Sequence, residues 1–147
     1  MTNNDRLARS YLMQAEERIK HAKEAFEGGN YAYVVRQCQE AVELLLKASL
    51  RLVGIEPPKF HDVGIVLKNE KDKFPEWFKN EIDELASISR ILRKERETSM
   101  YGDEETMTPP ELIYSRIDGR RKVFNHDKQV YIAIPFIITP CNTSIDG

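Results

Sequence analysis

The fold is decided by one stretch of sequence, YAYVVRQCQEAVELLLKASLRLV at residues 31–53. Its apolar residues recur every three or four positions, at 34, 35, 38, 41, 42, 45, 46 and 50, and cover more than half of a helical circumference. A helix this apolar lies inside a bundle, because each apolar side needs a neighbouring element to exclude water. The polar residues fall on the remaining strip: Arg36, Gln39, Glu40, Glu43, Lys47 and Arg51. The stretch is therefore predicted to be the central helix of the protein.

The composition predicts one domain that forms its core without disulfide bonds or a metal ion. The chain has 147 residues, of which 41% are hydrophobic, and a chain of this size buries an ordinary core. Its 22 basic and 24 acidic residues give a net charge of −2. Overall charge therefore does not attract nucleic acid or an anionic membrane, and contact with either requires a local basic patch.

The cysteines and the N-terminus narrow the class of protein further. Cys38 and Cys141 form no C-x-x-C pair, and no histidine cluster lies near them, which argues against a zinc site or a disulfide framework. We expect no metal and no cofactor. The segment Met1–Arg6 lacks the basic and then apolar pattern of a secretory signal. We therefore expect a cytoplasmic protein without membrane contact.

Helical periodicity extends over most of the chain and predicts an all-α fold, an antiparallel up-and-down bundle of four to five helices. Asn3 or Asn4 is the predicted N-cap of the first helix, and Asp62 that of the third. The short link Gly28-Gly29-Asn30 predicts an antiparallel hairpin between the first two helices. The predicted helices cover residues 4–27, 31–53, 62–70, 75–97 and 108–118.

The C-terminal part of the chain does not follow the helical pattern. We predict a helical domain over residues 1–118 and a C-terminal extension over 119–147. Val130–Ile138 is an apolar run rich in β-branched residues, is interrupted by Pro135, and is too short to span a bilayer. It is predicted to be a short strand or an irregular tail.

Several pieces of this sequence together resemble the HEPN family, the higher eukaryote and prokaryote nucleotide-binding helical domains. They are Gln39–Ala48 (QEAVELLLKA), Gly54–Pro58 (GIEPP), His61–Val63 (HDV), Ser89-Arg90, Arg96 and Met100–Asp103 (MYGD). The resemblance covers Asp5 to Ile117. It implies a helical bundle that forms a homodimer, and one of two functions. One is a metal-independent endoribonuclease of the toxin–antitoxin type; the other is a non-catalytic, nucleotide-binding module that works with a nucleotidyltransferase-fold partner.

The catalytic branch of this family carries an arginine followed after a few positions by a histidine. An arginine can hold a phosphate, and an imidazole can transfer a proton near neutral pH. In this chain the corresponding sequence is RETSMY, so Arg96 is present but the histidine position holds Tyr101. A phenol gives up its proton only near pH ~10. The resemblance therefore implies that nuclease chemistry is lost.

A phosphate or nucleotide site without catalysis is the first hypothesis for function. Its candidate residues are Arg90, Arg93, Arg96, Tyr101, Asp103 and His61. The plainer interpretation is that the arginines form a solvated face between Glu95 and Glu97. For His61, the plainer role is a local hydrogen bond before the third helix. Under this first hypothesis the ligand is a nucleotide or RNA.

The second hypothesis is an endoribonuclease that uses Arg121 and His126, or a remodelled site around Arg96 and His61. The sequence RKVFNH at residues 121–126 has the arginine-to-histidine spacing. It lies one helix later than the family places its site, and Lys122 stands where the family carries asparagine, aspartate or histidine. With three histidines in the chain, such a spacing also arises by chance. RNA cleavage without added metal separates the two hypotheses.

Overall fold

The structure, a computed structural model, describes residues 2–59 and 62–120. In this part of the chain the fold is all-α, as predicted, and no strand is present. The helices are α1 (Asn3–Glu27), α2 (Tyr31–Leu52), α3 (Val63–Asn69), α4 (Glu76–Lys79), α5 (Ile82–Lys94), α6 (Arg96–Tyr101) and α7 (Pro110–Ile113). Lys71–Lys73 forms a 3₁₀ turn, and residues 116–120 are again helical. The predicted strand or tail at Val130–Ile138 lies outside the described residues.

The helices α1 and α2 form the predicted antiparallel hairpin. Ala8 and Leu12 near the start of α1 pack with Leu45 and Ala48 near the end of α2. At the opposite end, Ala22 packs with Val34 and Cys38. Gly29 permits the tight turn because its φ of 78° is accessible to glycine without a steric penalty.

The N-cap of α1 differs from the prediction. Thr2, rather than Asn3 or Asn4, caps the helix: its hydroxyl accepts a hydrogen bond from the Asp5 backbone N–H, and the Asp5 carboxylate accepts one from the Thr2 N–H. This reciprocal arrangement satisfies two donors, whereas a single asparagine cap satisfies one. It also lowers the pKa of Asp5, chiefly through the hydrogen bond from the Thr2 backbone.

The helix α2 is the centre of the fold, as its sequence predicts. One side packs on α1, and the other side forms the main core with α3, α4 and α5. The buried residues of that core are Val42, Leu46, Leu50, Val63, Leu67, Phe74, Phe78, Ile82, Leu85 and Leu92. The N-cap of α3 is Asp62, as predicted, and its carboxylate accepts a hydrogen bond from the Gly64 N–H at 2.9 Å.

The predicted helix over 75–97 is wrong in its continuity. It is divided into α4, α5 and α6, with breaks at Asn80-Glu81 and at Glu95. At Glu95 the backbone N–H bonds to the Leu92 carbonyl, a three-residue bond, with φ near −92° and ψ near 0°. This tighter turn redirects the chain, so that α6 continues to Tyr101 and buries Ser99.

The predicted helix over 108–118 is also divided. Thr108 pairs with Asp103 in an isolated bridge, and α7 ends at Ile113, after which Tyr114 has an extended backbone. The tyrosine ring is thereby buried against Ala32 and Val35 of α2. A second reciprocal cap restarts the helix, because Ser115 and Asp118 exchange side-chain to backbone hydrogen bonds.

The close approach of α3 to α5 depends on Gly64. A Cβ atom at this position would lie 2.9 Å from the Cβ of Ala86 and 3.0 Å from its Cα. Both residues are buried, so neither helix can move aside without disturbing the core.

We predict that Gly64→Ala destabilises the protein by about 1–3 kcal/mol, the usual cost of overpacking a core. Gly28→Ala is the matched control, because Gly28 has a helical backbone and its nearest neighbours would lie 3.6 Å or more from the new Cβ. Urea unfolding measures both. Ala86→Gly combined with Gly64→Ala should recover part of the loss; equal effects of Gly64→Ala and Gly28→Ala would contradict the close α3–α5 contact.

Candidate functional site

Three of the predicted site residues, Arg90, Arg93 and Arg96, lie around the junction of α5 and α6. Arg90 and Arg93 are one turn apart on α5 and therefore share a face. Arg96 is the first residue of α6, after the break at Glu95. Arg90 and Arg96 are exposed, and Arg93 is half-buried. Arg90 and Arg96 are therefore accessible to a phosphate, whereas Arg93 is accessible only in part.

Tyr101 lies at the other end of α6. Its side chain is 64% exposed. Five positions separate it from Arg96, so the two side chains leave the helix in directions about 140° apart at 3.6 residues per turn. Within one chain, α6 therefore does not place the guanidinium and the phenol on one face.

Tyr101 and Asp103 border a cavity of about 520 Å³ between the end of α6, the turn that follows it and α7. The lining residues are Glu97, Thr98, Tyr101, Gly102, Asp103, Glu104, Glu105, Thr106, Thr108 and Ile113. Four of these are carboxylates and none is basic. We call this the α6–α7 cleft. Its charge repels an anion, so the surroundings of Tyr101 and Asp103 disfavour phosphate.

The turn that forms the cleft depends on Gly102 and Asp103. Gly102 has a φ of 76°, and a Cβ atom there would overlap the Thr108 carbonyl oxygen. Asp103 and Thr108 exchange two backbone hydrogen bonds of 2.9 Å. The Asp103 carboxylate also accepts hydrogen bonds from the Glu105 and Thr106 N–H groups, at 3.0 and 3.2 Å. Asp103 therefore has a structural role in holding the turn.

The remaining predicted site residues are outside the part of the chain that the structure describes. These are His61, Arg121 and His126. The neighbour of His61, Asp62, acts as the cap of α3. The described site residues thus divide into the arginines around the junction of α5 and α6 and the pair Tyr101 and Asp103 in the α6–α7 cleft.

Tyr114 is a notable residue that sequence reasoning missed. Only 8% of it is exposed. Burial raises the pKa of its phenol to about 12, with further contributions from the negative charges of Glu95 and Asp118. The signal in the sequence was Ser115-x-x-Asp118, the reciprocal cap that starts a new helix directly after Tyr114.

The described residues contain neither a candidate metal site nor a helix that could cross a membrane. Within residues 2–59 and 62–120, no group of three or more histidine, cysteine, aspartate or glutamate side chains is arranged to hold a metal ion. Cys38 is buried beside Ala22 and Val34. None of the helices that the structure describes is both long and apolar enough to cross a membrane.

The family follows from comparison with known proteins. The model of the HEPN domain matches residues 8–121, most of the chain. The chain belongs to the HEPN domain family. This HEPN protein is similar in structure to TT1696 from Thermus thermophilus, with a TM-score of 0.69 and 22% sequence identity, over 87% of this chain and 96% of that one. At this identity the likeness shows the fold alone. No curated protein matches the sequence.

The buried phenol of Tyr114 predicts a pH dependence of stability. Its pKa is about 12 in the folded protein and about 10 in an unfolded chain. Because the folded pKa is the higher one, the folded state holds this proton more tightly. The contribution of this proton to the free energy of unfolding is fully present below pH ~10 and is lost as the pH rises toward ~12.

We therefore expect the free energy of unfolding to fall between about pH 9 and about pH 11, and to fall less in Tyr114→Phe, which keeps the ring but removes the titrating hydroxyl. Tyr33→Phe is the control, because Tyr33 is 40% exposed. Urea unfolding at the two pH values gives the comparison. If both variants follow the wild type, Tyr114 does not titrate as its burial requires.

Proposed function

We propose that this HEPN protein is a non-catalytic module that binds the phosphate of a nucleotide or RNA weakly and works with a nucleotidyltransferase-fold partner. The observation that supports this most is the sequence of α6. Arg96 begins the helix, and Tyr101 ends it in the place where the catalytic branch of the family carries histidine. The site thus keeps a group that can hold phosphate but lacks one that transfers a proton near pH 7.

The phosphate is proposed to bind on the arginine side of α6. Guanidinium groups suit phosphate because they offer several N–H donors in one plane. Arg90 and Arg96 are exposed, so their charge is accessible at the surface. Tyr101 and Asp103 are proposed to lie at the edge of this site, since the carboxylates of the α6–α7 cleft oppose phosphate within it.

A homodimer is the proposed assembly, on the basis of membership in a family that is expected to dimerise. Light scattering would measure it as twice the mass of one chain. Tyr33 of α2 and Ile91 of α5 are exposed apolar side chains that a partner chain can cover, at 40% and 51% exposure. Burying such side chains supplies the usual driving force for association.

The proposed phosphate contact predicts salt-sensitive binding of short single-stranded RNA. Arg96→Ala should weaken binding and reduce the slope of log affinity against log salt by about 0.7, the contribution of one contact to a single strand. Arg6→Ala is the matched control, because Arg6 is an exposed arginine on α1. Fluorescence anisotropy at several salt concentrations measures both. Equal losses in the two variants would remove the assignment to Arg96.

The proposed loss of catalysis predicts that the wild type leaves RNA intact over hours in the presence of a metal chelator. General acid–base catalysis contributes typically 10²–10⁴-fold in rate. Tyr101→His restores the arginine-to-histidine spacing but not a shared face of α6, so we expect at most slow cleavage, which Arg96→Ala in the same chain should abolish.

RNA cleavage by the wild type would contradict the proposed loss of catalysis. If the wild type cuts RNA, and His126→Ala stops the cutting while Arg96→Ala does not, the protein is an endoribonuclease that uses Arg121 and His126. Gel analysis of labelled RNA distinguishes the two results.

A further inference from the structure

The α6–α7 cleft is bordered by exposed apolar side chains as well as by carboxylates. Of the eleven large hydrophobic residues that are exposed in the described part of the chain, five lie between residues 100 and 117. Tyr101 lines the cleft itself. Ile113, which is half-buried, also lines it. Met107 belongs to the 102–108 turn, between the lining residues Thr106 and Thr108, and is 85% exposed. An exposed aromatic residue in a cleft, with an exposed apolar residue in the adjoining turn, is typical of an interaction surface.

Four carboxylates line the same cleft, and none of them has a cationic partner among the described residues. Elsewhere on α1, α2 and the 70–83 region, some acidic side chains pair with neighbouring cations, as in Glu40 with Arg18 and Arg36, and Asp83 with Lys71. In contrast, Glu97, Asp103, Glu104 and Glu105 form no ion pair with any residue of 2–59 and 62–120. Within residues 2–59 and 62–120, the cleft therefore carries four negative charges that no ion pair neutralises.

The occupant that complements this surface is both basic and apolar. A lysine or arginine side chain gains from the carboxylates, and a cation over the exposed Tyr101 ring gains a further attraction to its face. Apolar residues of the same segment can cover Tyr101 and Met107. A nucleic acid is the wrong partner, because its phosphates would meet the carboxylates.

We propose that the α6–α7 cleft is a docking surface for a basic amphipathic segment of a partner protein. This rests on the proposed function in one respect, that the protein acts as an interaction module. It assigns opposite sides of α6 to different ligands: the arginine side to phosphate, and the cleft to a cationic polypeptide. The cavity volume of about 520 Å³ is in the range that accommodates ligand groups.

The test uses the full chain and a synthetic amphipathic helical peptide with leucine on one face and lysine on the other. A second peptide, with glutamate in place of lysine, is the probe control. Isothermal titration calorimetry should show binding of the lysine peptide that weakens as salt is raised, and no binding of the glutamate peptide.

Two variants of the protein test the location. Glu104→Gln with Glu105→Gln should lower the affinity for the lysine peptide about fivefold, since two exposed ion pairs contribute on the order of 0.2–1 kcal/mol each. Glu16→Gln with Glu27→Gln is the matched control, with the same change of charge at exposed positions of α1. Tyr101→Ala should lower the affinity about tenfold, as expected for an aromatic contact at the centre of an interface.

Several results would overturn the proposal. One is equal binding of both peptides; another is equal affinity loss in the two double variants. If Tyr101→Ala instead converts a dimer into a monomer and leaves peptide affinity unchanged, the surface joins two copies of this chain. Ile132→Ser with Phe136→Ser makes the apolar run Val130–Ile138 more polar. If the peptide binds only to this double variant, that run of the same chain occupies the cleft.

Parallel measurement of RNA separates failure of this proposal from failure of the proposed function. RNA binding that depends on Arg96, without peptide binding, rejects the docking surface alone. Peptide binding without RNA binding rejects the phosphate site alone.

Discussion

Burial of α2 on two opposite sides is the constraint on which the rest of the structure depends. Leu45 and Leu46 are adjacent in sequence and both almost fully buried, yet they belong to different clusters. Leu45 packs with α1, and Leu46 packs with α3, α4 and α5. A buried serine on the same helix is satisfied locally, because the Ser49 hydroxyl donates to the Leu45 carbonyl at 3.0 Å. The other helices are thus held by one apolar helix at their centre.

The same constraint produces the two chemically different sides of α6. Helix α7 is held against α2 through Tyr114, which packs on Ala32 and Val35. The chain between α6 and α7 must then reverse, and Gly102 permits the reversal. The reversal gathers Glu97 with Glu104 and Glu105 around the cleft, while Arg96 stays at the start of the helix. The position of Glu104 and Glu105 beside α6 therefore depends on the packing of Tyr114 against α2.

The sequence predicted the long helices well, because strong periodicity and glycine stops define them. The ends of α1 and α2 were predicted correctly to within about one residue, since Gly28-Gly29 and Gly54 favour the end of a helix. The breaks at Glu95 and Tyr114 were not predictable from periodicity, because tertiary packing decides them. The cap Ser115-x-x-Asp118 was a local signal that the helical pattern obscured. For the site, the family motif named the arginines, but the acidic cleft depends on how residues 102–108 fold, and that requires the structure.

The most direct test of the account is the stability of Leu45→Ala. Leu45 is fully buried on α2, and truncating such a leucine typically costs about 2–5 kcal/mol. Leu112→Ala makes the same chemical change where the side chain is 77% exposed, and surface substitutions usually alter stability by no more than about 0.5 kcal/mol. Urea unfolding of both variants should therefore show a large loss for Leu45→Ala and almost none for Leu112→Ala. Equal losses would contradict the central position of α2.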